Sequence, residues 1–106
     1  MAMDFETVWP GIRRAAPPGS LVRHWSAAHG YTGGFFRVEQ ADATSVTVRG
    51  GKMRGPRRVA KSEFARIVAV WERYVAGSFS RSAMQPLSLN STYILSLLHV
   101  ALPEGT

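Results

Sequence analysis

The 106-residue chain contains no cysteine, which excludes a disulfide scaffold and any thiolate-bound zinc, haem or iron–sulfur centre. Acids are scarce too, with seven Asp and Glu against thirteen Lys and Arg, and there are only three histidines. These (His24, His29 and His99) show no short ligand spacing with Glu39 or Asp42, so no metal site is expected. Long apolar runs are also missing. The most apolar stretch, Tyr93 to Leu102, is interrupted by Ser96 and His99 and falls short of the roughly twenty apolar residues a membrane helix needs. It is expected as a core helix. The first residues, Met1 to Glu6, turn acidic at once and lack the basic-then-apolar pattern of a secretory signal. A cytoplasmic protein without membrane association is the expectation. Gly30, Gly33-Gly34 and Gly50-Gly51 match neither a dinucleotide nor a P-loop fingerprint, because the helix placement and the Lys-Ser/Thr ending do not follow. No cofactor is expected.

What is present is a folded composition. Apolar residues make up 45% and charged residues 19%, whereas disordered chains run the other way. The length suits one domain with a single modest core. The formal charge is +6, and its placement matters more than its size. Seven bases (Arg49, Lys52, Arg54, Arg57, Arg58, Lys61, Arg66) and one acid (Glu63) fall between residues 49 and 66. Elsewhere six bases balance six acids, so that one stretch carries the whole net charge. Such a cationic segment attracts polyanions over a screening length of about 8 Å at physiological salt. Five of its seven bases are arginine, whose planar fork matches phosphate oxygens in pairs. A solvated loop that only aids solubility is the plainer alternative.

Along the chain, residues 1–20 read as an N-terminal arm. Phe5, Val8, Trp9 and Ile12 have near-helical spacing, but Pro10-Gly11 interrupts them and Pro17-Pro18-Gly19 ends them, which predicts at most one turn with Trp9 covering the core's edge. A single domain is expected over 21–106. Leu21 to Trp25 reads as a strand, followed by a turn-rich loop holding His29-Gly30 and Gly33-Gly34. Residues 35–40 and 44–49 alternate with period two and predict a hairpin with Phe36 and Val38 on one face and Arg37 and Glu39 on the other. The glycine-rich 50–56 segment is expected as a mobile loop at the sheet's end, similar to a β-wing, with Arg57 to Val59 returning as a short strand. A helix over 63–76 follows from Phe64, Ile67, Val68, Trp71 and Val75, with Ser62 as its cap and Gly77 as its stop. Ser80 or Ser82 is expected to cap one helical turn. Asn90 or Ser91 then opens a last helix over 91–102, deeply packed, with Thr92, Ser96 and His99 as its polar stripe.

The fold class is therefore α+β: a small antiparallel sheet over about 21–59 packed by two main helices. The run from Val59 to Leu102 carries a further cadence. A basic strand end leads to a helix with Trp71 and Tyr74, then Gly77-Ser78-Phe79-Ser80-Arg81, then a helix opening Asn90-Ser91-Thr92-Tyr93. This resembles small accessory modules attached to bacterial restriction-type nucleases and other mobile-element proteins, and it is similar to a winged helix-turn-helix. The resemblance implies DNA-associated or defence-associated company. The last helix offers no Arg or Lys for reading bases, so phosphate contacts are assigned to Arg49, Lys52, Arg54, Arg57, Arg58 and Lys61, flanked by Arg37 and Arg66. The functional expectation is a non-catalytic nucleic-acid-binding module, with DNA placed ahead of RNA as partner. A protein-interaction or small-ligand module is the alternative, because Trp9, Trp25, Tyr31, Phe35 and Phe36 exceed what one hairpin face buries and could line a pocket or a homodimer seam. The enzymatic alternative is a metal-free nuclease using His24 or His99 as general acid or base beside the arginines.

Overall fold

Asp4 accepts from the Glu6 N–H at 3.0 Å, satisfying a donor that the first turn of a helix leaves open, and α1 (Phe5–Ala15) follows. The computed structural model describes residues 4–50 and 54–102. Instead of one turn, α1 runs for eleven residues through Pro10-Gly11. An interior proline costs about 3 kcal/mol. Burial of Val8, Trp9 and Ile12 offsets that, at roughly 1.5–3 kcal/mol for each large apolar side chain. The Trp9 ring meets Phe64 edge-on at 5.1 Å, so the expected arm supplies residues to the common core.

Four strands follow, β1 (Leu21–Ser26), β2 (Gly30–Ala41), β3 (Ser45–Gly50) and β4 (Arg57–Ala60), in one antiparallel sheet of order β1-β2-β3-β4. The alternation predicts the faces correctly. Phe36, Val38, Val46, Val48 and Val59 are buried, while Arg37, Arg49 and Arg58 are exposed on the opposite side. Between β2 and β3 the Asp42 carboxylate accepts from the N–H groups of Thr44 and Ser45 at 2.8 and 2.9 Å, and hydrogen bonding from Thr44 leads the causes that lower its pKa.

Two details of the sheet depart from the expectation. The segment read as a glycine loop is strand: β2 starts at Gly30 and continues through Gly33-Gly34. A Cβ on Gly34 would lie 2.6 Å from His24 Cδ2, so this glycine admits the ring of the neighbouring strand and does not form a turn. The pairing of β1 with β2 also shifts register between Arg23 and Trp25, and this irregularity turns both His24 and Trp25 toward the helices. His24 packs against Phe36 and Tyr93 at 5.3 and 5.8 Å. Trp25 stacks on His99 at 4.0 Å with planes 5° apart.

The helix expected over 63–76 is two, α2 (Lys61–Val68) and α3 (Trp71–Val75). Val70 interrupts them with φ −114° and ψ 4°, and the break buries Val70, which a straight helix would hold away from the stripe. Ser62 is not the cap. The Glu63 carboxylate performs that task by accepting from the Ala60 N–H at 2.9 Å. Trp71 and Tyr74 are both core residues, and the Tyr74 hydroxyl accepts from the Ala27 N–H at 2.9 Å. A 3₁₀ turn at Ser82–Met84 follows, with Ser80 Oγ accepting from the Ala83 N–H at 3.2 Å. Finally α4 (Ser91–Ala101) buries Ile94, Leu95, Leu97 and Leu98. Two residues of its polar stripe face β1, as His99 stacks on Trp25 and Ser96 Oγ accepts from the Trp25 N–H and donates to the Thr92 carbonyl, both at 3.0 Å, whereas Thr92 Oγ1 accepts from Arg81. The architecture is thus α+β, with the core between one sheet face and the helices and the other sheet face bare. Among the described residues no helix is long and apolar enough to cross a membrane.

Candidate nucleic-acid interface

The basic residues singled out from the sequence divide into three places. Arg54, Arg57 and Arg58 line one open cleft of about 990 Å³, together with His24, Phe35 and Tyr93. No acid is among the described residues lining it. Arg37 and Arg49 lie directly opposite each other on β2 and β3, on the bare sheet face. Arg49 is paired there with Glu39 at 3.1 Å, so its charge is partly spent inside the protein. Lys61 and Arg66 belong to α2, beyond the far end of β4 from the cleft. Lys61 sits 3.9 Å from the exposed Glu6 carboxylate, and Arg66 Nε donates to the Leu87 carbonyl at 2.7 Å. Lys52 lies outside the described residues. The eighteen-residue charge run is therefore not one patch, because four residues of strand carry the chain roughly 13 Å between its two halves.

The cleft is assembled by strand geometry. Arg57 shares the parity of the buried Val59 and pairs with Val48, so it leaves β4 on the helix side, at the sheet's end where the core opens. One of its guanidinium nitrogens donates to Asn90 Oδ1 at 3.3 Å, and its Cζ lies 5.8 Å from the Tyr93 ring centroid, within cation–π range. Arg58 is on the other face and donates to Thr44 Oγ1 at 3.3 Å. Burial, and secondarily the positive Arg81, hold the His24 imidazole below its ordinary value, so the ring is neutral at pH 7 and adds no charge to the three guanidinium groups. Its Nδ1 is buried without a hydrogen-bond partner among the described residues.

Arg57 is held by a relay that the sequence did not signal. Glu63 accepts from the Ala60 N–H, from Ser88 Oγ at 2.6 Å and from Asn90 Nδ2 at 2.9 Å. Asn90, thus oriented, presents its amide oxygen to Arg57. Burial pushes the Glu63 carboxyl up, but the bonds from Ser88, Ala60 and Asn90, with Arg66 nearby, outweigh it and lower its pKa. In the sequence Glu63 stood out only as the one acid among the seven bases of residues 49–66. The spacing of 27 residues to Asn90 gives no periodic signal. Of the five aromatic residues in excess of one hairpin face, Trp9 and Phe36 are buried and Trp25 is half-buried, whereas Tyr31 and Phe35 stay exposed, Phe35 at 55%. The chain matches no family model, no curated protein and no solved structure.

Proposed function

We propose that this protein is a non-catalytic nucleic-acid-binding module, of the bacterial mobile-element or defence type its second half resembles, which grips the phosphate backbone through Arg54, Arg57 and Arg58. The supporting observation is that these three arginines line one open cleft, with no acid among the described residues that line it. A site with such a sign imbalance favours polyanions, and each phosphate neutralised releases counterions. Phosphate contacts carry no base information, so binding is only weakly sequence-specific.

Changing Arg54, Arg57 and Arg58 together to Gln tests this. The slope of log affinity against log salt should flatten by up to about three units, at roughly 0.9 per phosphate lost from duplex DNA. Lys61→Gln with Arg66→Gln should leave it nearly unchanged, because these side chains lie away from the cleft. An unchanged slope in the triple variant removes the cleft from the reading. The exposed Leu21 and Phe35 on the bare sheet face favour a second reading, a self-associating or partner-binding surface. A dimer on a sizing column that ignores nucleic acid at low salt would support that one instead.

A further inference from the structure

The start of α4 lacks a side-chain cap. The Asn90 N–H donates to Ser88 Oγ at 2.9 Å, and the Tyr93 and Ile94 N–H groups return to the Asn90 carbonyl at 3.0 and 3.1 Å. The Asn90 side chain is committed elsewhere, to Glu63 and Arg57. The N–H groups of Ser91 and Thr92 therefore make no hydrogen bond among the described residues, and such open groups give a helix N-terminus its partial positive charge. An independent observation comes from the Ser91 side chain. Ser91 is only 6% exposed, yet its hydroxyl has no hydrogen-bond partner among the described residues, whereas buried polar groups are ordinarily paired. Its small open surface forms part of the wall of a pocket of about 470 Å³, together with Thr92, Arg81, Ser82 and Gln85. That volume lies within the roughly 300–1,000 Å³ of small-ligand sites. No acid is among the described residues lining this pocket, and it shares none of them with the arginine cleft.

The charge at this pocket has one sign. The Arg81 guanidinium donates to Thr92 Oγ1, which ties it to the first turn of α4 and leaves most of its N–H donors open. No carboxylate pairs with it among the described residues. Glu63 bonds Ser88 and Asn90 beside the same turn, but three donors already engage its carboxylate and it does not line the pocket. Two backbone N–H groups, a hydroxyl and a guanidinium thus gather at one pocket, and all of them can donate. A phosphate group suits that set, because its oxygens accept from helix N-terminal N–H groups and match the planar guanidinium in pairs. We propose that the pocket binds a phosphate group, held by the Ser91 and Thr92 N–H groups, Ser91 Oγ and Arg81. The site stands apart from the arginine cleft. Its phosphate has two sources, a nucleic-acid backbone and a small phosphorylated molecule.

The experiment is a proton–nitrogen correlation titration of the full chain at fixed ionic strength. The probes are inorganic phosphate, balanced with chloride, and separately a mixed-sequence DNA duplex. The Ser91 and Thr92 amide signals should move to saturation with at least one probe. Arg81→Gln should weaken that response at least about ten-fold, the size of one lost charge-assisted hydrogen bond. Ser91→Ala should weaken it by about two- to ten-fold, the size of one neutral hydrogen bond. Its melting temperature should not fall, because the hydroxyl it removes bonds nothing inside the fold. If the duplex moves both amides and Arg81→Gln lowers its salt slope by about 0.9, the phosphate is that of a nucleic-acid backbone. If only inorganic phosphate moves them, the phosphate belongs to a small molecule. Amides that stay still with both probes, a response that Arg81→Gln leaves intact, or a lower melting temperature for Ser91→Ala overturns the proposal. If the Arg54, Arg57 and Arg58 triple variant still flattens the salt slope in that case, the cleft reading survives alone.

Discussion

Glu63 joins the start of α2 to the start of α4, and its removal tests whether that junction carries stability. Three donors converge on its carboxylate: the Ala60 N–H, Ser88 Oγ and Asn90 Nδ2. A hydrogen bond to a charged acceptor contributes about 1.5–3 kcal/mol, but the group is only partly buried, so water recovers part of the loss for Ser88 and Asn90. Glu63→Ala is therefore expected to cost about 2–4 kcal/mol. At roughly 4–8 °C per kcal/mol for a domain of this size, the melting temperature should fall by about 8–30 °C. The same carboxylate links stability to acid. Its folded pKa is depressed below the ordinary 4.5, so its contribution is fully present above that value and is lost as pH falls through the folded one. Glu63→Gln should remove this part of the acid sensitivity while keeping the side chain's size. Urea unfolding followed by circular dichroism, across about pH 3 to 7, measures both effects. A Glu63→Ala variant within about 0.5 kcal/mol of the parent, or parent and Glu63→Gln curves that run parallel with pH, would refute the junction argument.

Two further outcomes follow from the packing. Gly34→Ala places a Cβ against the His24 ring, at 2.6 Å from Cδ2 before any shift, and should destabilise by about 1–3 kcal/mol. In a His24→Ala background that penalty should vanish, so a double-mutant cycle by denaturant unfolding with no coupling would show the contact is not what excludes a side chain at Gly34. Trp9→Ala should cost about 3–5 kcal/mol, since α1 belongs to the core. A thermal melt within a few degrees of the parent would mean the first helix is a dispensable arm.

The strand faces were legible in the sequence because period-two alternation is a local property. Phe36 and Val38 opposite Arg37 and Glu39, and Val46 and Val48 opposite Thr47 and Arg49, follow from the pleat alone. The amphipathic run from Phe64 to Val75 and the largely apolar α4 were readable for the same reason. The span of α1 was not, because the proline rule is local whereas the burial of Trp9 against Phe64 is a contact between elements distant in sequence. The strand through Gly33-Gly34 escaped notice for a similar reason: that glycine was required by His24 on the neighbouring strand. The charge run was plain in the sequence, but its meaning was not. Whether seven bases form one surface depends on which side of β4 each leaves, where the chain turns into α2, and which acids lie across the strands. Those are relations between elements, so tertiary structure alone put Arg54, Arg57 and Arg58 around one cleft, paired Arg49 with Glu39 and moved Lys61 and Arg66 away.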